Sequence, residues 1–386
     1  MKVKLPFLAT FLFSLQTFVG RLFFIPSSYI VPYIYFCNPA ISYISLFYIS
    51  YAAYSIIITS NIVSTIIYSF LFILNTFVYN SIKNTNQETT IKIEVFNTIL
   101  RNVLILLSIF SLLLWVLNIN ILPNKIYLTL FNPLNGLNIN SYIFIIYYYS
   151  FASYYLRKNN DFYFGSVLLL ITESRTALVF LFFLLMQYLN DKKLLPSVKT
   201  KTIVQINIKI IIPTLLIIFT LTPIYFGTNY LKNISNNIET SYEFAINILG
   251  RRNEIKKLAR SGAQIQDNQR VCLTFNNIDH ISKTFPVGTG IGIKSYINSL
   301  KKHNLGCKHH INNDRVYIRA HNFYISYLAE MGIFFVPLLI FLLKHVFNKG
   351  SRFIIIGLLI GFLGHEYLTS PWVWLILGLN ERKNHA

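Results

Sequence analysis

Apolar stretches recur along most of this 386-residue chain, at 5–19, 22–37, 40–59, 62–79, 97–116, 139–156, 162–173, 174–190, 203–222, 323–344, 353–364 and 370–381. Nothing else in the sequence restricts the fold as much. In hydrocarbon every peptide group must find its hydrogen-bond partner within the protein, so repeated runs near bilayer length read as helices. The expected fold is all-α, a polytopic transmembrane helix bundle of about twelve spans with one large periplasmic loop containing short helices. Composition agrees: 54% of residues are hydrophobic and 12% charged, about half the charged share of a soluble domain. Several runs fall short of the ~20 residues of a straight span, which points to tilted or re-entrant segments. The first run follows Met1-Lys2-Val3-Lys4, has no small-residue cleavage site after it and leads directly into further spans, so it reads as a retained span.

Charge sets the orientation. Basic residues cluster at Lys2/Lys4, Lys83/Lys92, Arg157/Lys158, Lys192/Lys193/Lys199/Lys201, Lys344/Lys349/Arg352 and Arg382/Lys383. Placing all of them inside satisfies the positive-inside rule and makes both termini cytoplasmic. The formal charge of +20 therefore reflects inter-span loops, and nucleic acid is not an expected partner. Three regions follow: transmembrane helices over 1–222, a large outer loop over 223–320, and C-terminal helices with a cytoplasmic tail over 321–386. The outer loop holds 14 Lys and Arg against 6 Asp and Glu, a basic surface suited to an anionic partner. Cys272 and Cys307 both lie in it, where an oxidising compartment permits a disulfide; their spacing alone does not decide whether they pair.

Four short stretches on the outer side carry the chemical interest. Glu173-Ser174-Arg175-Thr176 falls at the turn between two apolar runs, and an Arg at a membrane boundary either snorkels to headgroups or serves a site. Gly250-Arg251-Arg252 opens a basic stretch with helical periodicity, which suits either phosphate capture by forked hydrogen bonds or an amphipathic helix on anionic lipid. Pro286-Val287-Gly288-Thr289-Gly290 reads as a structural turn or as an amide nest for an anion. Arg319-Ala320-His321-Asn322 stands where polar loop becomes apolar helix. A histidine there can take up a proton near neutral pH, or it is a structural interfacial residue.

Taken in order, these stretches resemble the bacterial O-antigen polymerase and O-antigen ligase superfamily. Its pattern has a Ser-Arg pair at a periplasmic turn, a Gly-Arg stretch early in the large loop, a Pro-x-x-Gly-x-Gly element, and a His-Asn start to the next span. Here these are Ser174-Arg175, Gly250-Arg251, Pro286-Val287-Gly288-Thr289-Gly290 (one residue shorter between Pro and Gly than the pattern), and His321-Asn322 with Gly332 closing the stretch. The tail Pro371-Trp372-Val373-Trp374 is similar to the family's ending, and the likeness covers about residues 160–380. Arg252 doubles the single Arg of the pattern, and Thr176 stands where Gly is common.

The resemblance implies a membrane glycosyltransferase of the bacterial inner membrane with its active face toward the periplasm. Such an enzyme moves a glycan from undecaprenyl pyrophosphate to a sugar hydroxyl. As a polymerase its acceptor is another lipid-linked repeat unit; as a ligase it is lipid A–core. Arg175, Arg251, Arg252 and Arg319 are then expected to hold the diphosphate, with Gly288 and Gly290 as a backbone loop against substrate. His321 is the expected catalytic residue, as base or in orienting the acceptor. Neither a metal nor another cofactor is expected, since no clustered acidic site or Walker-type loop is present. Partners would be membrane lipid, the lipid-linked oligosaccharide, and a chain-length regulator and flippase of the same pathway. A lipid-linked glycan flippase is the alternative from another class, but it predicts ionisable residues in mid-span and repeat symmetry.

Overall fold

The structure is a computed structural model that describes residues 27–37, 41–84, 86–116, 139–172, 175–192, 266–308, 315–320, 322–347, 351–363 and 368–385. These residues are mostly helical. In chain order the elements are α1 (Ser27–Phe36), α2 (Tyr43–Ile58), α3 (Ile62–Lys83), α4 (Gln87–Val116), α5 (Ile139–Tyr155), α6 (Asn159–Ile171) and α7 (Arg175–Asp191). The polar region follows with α8 (Gln266–Thr284), α9 (Ile293–Lys302) and two short antiparallel strands, β1 (Cys307–Lys308) and β2 (Arg315–Val316), a small departure from an all-α chain. The last elements are α10 (Phe323–Met331), a 3-10 turn (Gly332–Phe334), α11 (Phe335–Phe347), α12 (Arg352–Gly361) and α13 (Pro371–His385). The expected spans at 5–19 and 203–222 lie outside the described residues.

Two helical stretches, Ile62–Lys83 and Phe323–Phe347, are long and apolar enough to cross a membrane. Helix ends follow local chemistry. The Ser42 hydroxyl caps α2, and the Asn61 side chain caps α3 by accepting from the Ser64 N–H at 2.9 Å. At the centre stand α5 and α13, buried from Ile143 to Ala152 and from Trp372 to Asn380. A helix apolar on all sides has to sit inside others, and α13 packs against α1, α3 and α5.

Along α2 and α3 the opposite holds. Leu46, Ile49, Ile56, Ile57, Ile62, Val63, Ile66, Ile67 and Phe70 are all exposed, and together they make an apolar face.

The run expected as one span at 323–344 is two helices. Gly332 has φ 57° and ψ −131°, values that no continuous α-helix adopts. The stretch Phe323–Phe347 is thus long and apolar only as a broken pair of helices, and α11 alone has 13 residues and reaches only about 20 Å. At the far end, Arg382, expected in the cytoplasmic basic cluster of the tail, is buried. Its guanidinium bonds Tyr155 Oη at 2.9 Å, the carbonyls of Ile82, Asn84 and Asn86, and Thr90 Oγ1. It fastens α13 to the connection between α3 and α4.

Candidate functional site

The stretch from Phe285 to Gly292 is the element on which the site is assembled. Gly288 and Gly290 both have φ 80° and Gly292 has φ 125°, a region closed to most side chains. These turns press the loop onto the break between α10 and α11. The N–H groups of Thr289 and Gly290 donate to the Glu330 carbonyl at 3.0 and 3.1 Å, and the Ile333 N–H donates to the Pro286 carbonyl at 2.9 Å. A third helix joins through Tyr51, whose hydroxyl donates to the same Glu330 carbonyl at 2.9 Å. From the tip of the α2–α3 hairpin, Thr65 Oγ1 donates to the Ile291 carbonyl at 2.7 Å.

The glycine amides expected to meet an anion are thus engaged within the protein. Gly288 N–H donates to the Thr284 carbonyl at 2.8 Å, and Gly290 N–H to Glu330. Their backbone freedom serves close approach of two main chains.

Behind the loop lies a buried ion pair. Arg319 Nη2 meets Glu330 Oε2, and the other carboxylate oxygen of Glu330 accepts from the Gly292 N–H at 2.8 Å. Both side chains are almost fully enclosed, Glu330 at 1% and Arg319 at 6% exposure. The guanidinium carbon lies 5.2 Å from the ring centre of Tyr296 and 5.9 Å from those of Tyr68 and Tyr327, within cation–π range. Arg319, expected to hold a diphosphate, therefore has Glu330 as its counter-charge and a wall of tyrosines around it. Burying a charge is tolerated when it is paired in this way.

Tyr296 extends the assembly into the polar region. Its hydroxyl bonds Asn277 Oδ1, and its ring meets that of His280 edge-on at 4.9 Å. His280 Nε2 is 2.8 Å from Ser299 Oγ. Burial holds the His280 imidazole down at about 4, with His303 adding to the shift, so this ring is neutral at ordinary pH. The sulfurs of Cys272 and Cys307 are bonded, tying α8 to β1 with Cα atoms 6.1 Å apart.

Position 321 lies outside the described residues, as do Arg251 and Arg252. The chain on both sides of 321 is described and fixed. Arg319 is held as above, and the Ala320 carbonyl accepts from Ser326 Oγ at 2.8 Å. Asn322 caps α10 through the Ile325 N–H at 3.1 Å, and its own amide donates to the Leu363 carbonyl at 3.1 Å. The Phe323 N–H donates to the Phe362 carbonyl at 2.9 Å.

Arg175 is the first residue of α7. Its neighbour Thr176 stands beside Gly361, 3.4 Å from where a Cβ on that glycine would fall. Gly361 adjoins Phe362, the residue bonded to Phe323. The N-terminus of α7 and the start of α10 therefore meet at the same end of α12. Glu330 was not among the expected site residues, although an acid inside an otherwise apolar run was a visible signal. Among the described residues no group of three or more His, Cys, Asp or Glu side chains is placed to hold a metal ion.

Comparison of this chain with family models, with curated proteins and with solved structures finds no match.

Proposed function

We propose that this protein is an O-antigen polymerase, a multi-pass inner-membrane glycosyltransferase of about twelve spans working at the periplasmic face. One observation carries most of the weight: the backbone on both sides of position 321 is pinned by Arg319, Ser326 and Asn322, next to the start of α7 where Arg175 stands. A catalytic side chain needs such a rigid seat.

In this reading the hydroxyl of one lipid-linked repeat attacks the anomeric carbon of the glycan carried by another. A new glycosidic bond forms as the bond to the diphosphate breaks. His321 takes the hydroxyl proton, and Arg175 with Arg251 or Arg252 meets the charge that collects on undecaprenyl pyrophosphate. Charge stabilisation of this kind contributes about 3–4 kcal/mol per donor, and a positioned base about 10²- to 10⁴-fold in rate. Arg319 takes a different part from the one its sequence suggested. Paired with Glu330, it supports the seat of His321 and leaves the diphosphate to the other arginines.

The test uses cells lacking the gene and carrying His321→Ala or Arg175→Ala. Both variants are expected to abolish the lipopolysaccharide ladder while leaving one repeat attached to lipid A–core. A normal ladder from stable, inserted His321→Ala protein removes the catalytic role. Loss of all attached antigen reassigns the protein as a ligase. Purified protein with lipid-linked repeats, scored for chain growth, gives the direct answer.

A further inference from the structure

The loop that docks on the helix break has an outer side. Phe285 and Val287 are 52% and 44% exposed, unusual for large apolar residues in a segment so firmly bonded beneath. The Pro286 carbonyl between them holds the Ile333 N–H, and the Val287 carbonyl accepts from the Tyr54 hydroxyl at 3.4 Å. The loop therefore bridges two uncovered apolar faces. One runs from Ile333 in the 3-10 turn down α11 through Val336 and Ile340; the other runs along α2 and α3 through Ile57, Ile62 and Val63. Ile293, at the start of α9, continues the same surface beside the hairpin tip, where the Lys294 N–H meets Ser64 Oγ.

The chain beyond Asp279, which lies one turn before Lys283 on α8, carries only basic charge along this surface. Lys283, Lys294, Lys301 and Lys302 are exposed, and no Asp or Glu occurs between Asp279 and Asp314. Apolar side chains continuous with a membrane-compatible face, edged by lysines with no acid among them, match an anionic bilayer surface: acyl chains below, phosphates above.

We propose that residues 283–294 form a lip embedded in the membrane surface, with Phe285 and Val287 among phospholipid acyl chains and Lys283 and Lys294 on anionic headgroups. This places part of the segment expected as a large outer loop inside the lipid boundary. It also sets the Arg319–Glu330 pair, one hydrogen bond behind Gly292, just inside the level of the lipid phosphates. The inference is independent of any glycosyltransferase activity.

Nitroxide labels report depth directly. With Cys37→Ser and the Cys272–Cys307 bond retained, Phe285→Cys, Val287→Cys and Lys302→Cys chains are spin-labelled in nanodiscs of phosphatidylethanolamine and phosphatidylglycerol. Labels at 285 and 287 are expected to relax with oxygen and to be shielded from a nickel chelate, while the label at 302 shows the reverse. Nickel access at 285 and 287 equal to that at 302 overturns the proposal. Shielding from both reagents also overturns it, because protein then covers the lip. For the unlabelled native chain, a diazirine phospholipid should leave adducts within 283–294 as it does on α11; adducts on α11 alone count against the lip. Lys283→Gln with Lys294→Gln should lower phosphatidylglycerol retention about fivefold or more, and unchanged retention overturns the headgroup contact.

Discussion

Gly288 and Gly332 face each other across the helix break with no room for a side chain on either. A Cβ on Gly288 would fall 2.8 Å from the Gly332 nitrogen, and one on Gly332 would fall 2.8 Å from the Gly288 nitrogen. The obstacles are main-chain atoms, which cannot rotate aside as a long side chain would.

Gly288→Ala and Gly332→Ala are accordingly expected to cost about 2–4 kcal/mol each, from overlap together with positive φ. Gly290→Ala should cost less, because the nearest atom to its Cβ position is the Ser55 carbonyl at 3.2 Å. Denaturation in mixed micelles gives the ranking. Equal losses at all three positions would contradict the backbone-contact account.

Removing one partner of the buried pair leaves the other charged and enclosed. Glu330→Gln or Arg319→Met alone should each destabilise by about 3–5 kcal/mol. The double variant should cost clearly less than the two added together, by about 1 kcal/mol or more. Strict additivity in the same titration would mean that the pair carries no coupling.

Maleimide counting checks the disulfide. The native chain should take one label, at Cys37, the exposed free cysteine among the described residues, and three after reduction. Closing a loop with a sequence separation of 35 is worth about 4 kcal/mol at most in the chain-entropy account. Cys272→Ser with Cys307→Ser should therefore speed proteolysis within 266–308 and leave the apolar helices intact.

Acid should loosen the polar region through His280. Its folded pKa of about 4 lies below the ~6.5 of an unfolded histidine, so the unfolded state binds the proton first. Stability is intact above neutral pH and falls as pH drops through 6.5 toward 4, by about 2 kcal/mol between pH 7 and pH 5. His280→Gln, which can keep a bond to Ser299, should flatten that slope. A slope unchanged by the substitution would assign the acid sensitivity to other groups.

The apolar runs were legible because length and hydropathy speak locally. Expected boundaries at 40–59, 139–156 and 174–190 fall within a few residues of α2, α5 and α7. The break at Gly332 was not legible as a break, since one glycine in an apolar run is compatible with a continuous helix. Its cause is a loop more than forty residues earlier, which local pattern cannot reveal. Gly288 and Gly290 show the same limit: their spacing announced unusual backbone but not whether an anion or another main chain would fill it. Arg319 is expected to hold a diphosphate and Arg382 to stand in a cytoplasmic basic cluster. Both are buried against partners that sequence places far away (Tyr68 for the first, Ile82 and Thr90 for the second).

The bond from Ile333 N–H to the Pro286 carbonyl bears on biogenesis. A helix interrupted inside hydrocarbon exposes peptide groups that neither water nor lipid can satisfy, and at Gly332 those groups are matched by a segment made earlier in synthesis. On the proposed topology, insertion of the last helices is incomplete until that segment folds back onto them. A chain deleted for 285–292 should stall at this step and be cleared by membrane proteases, even with every hydrophobic run still in place.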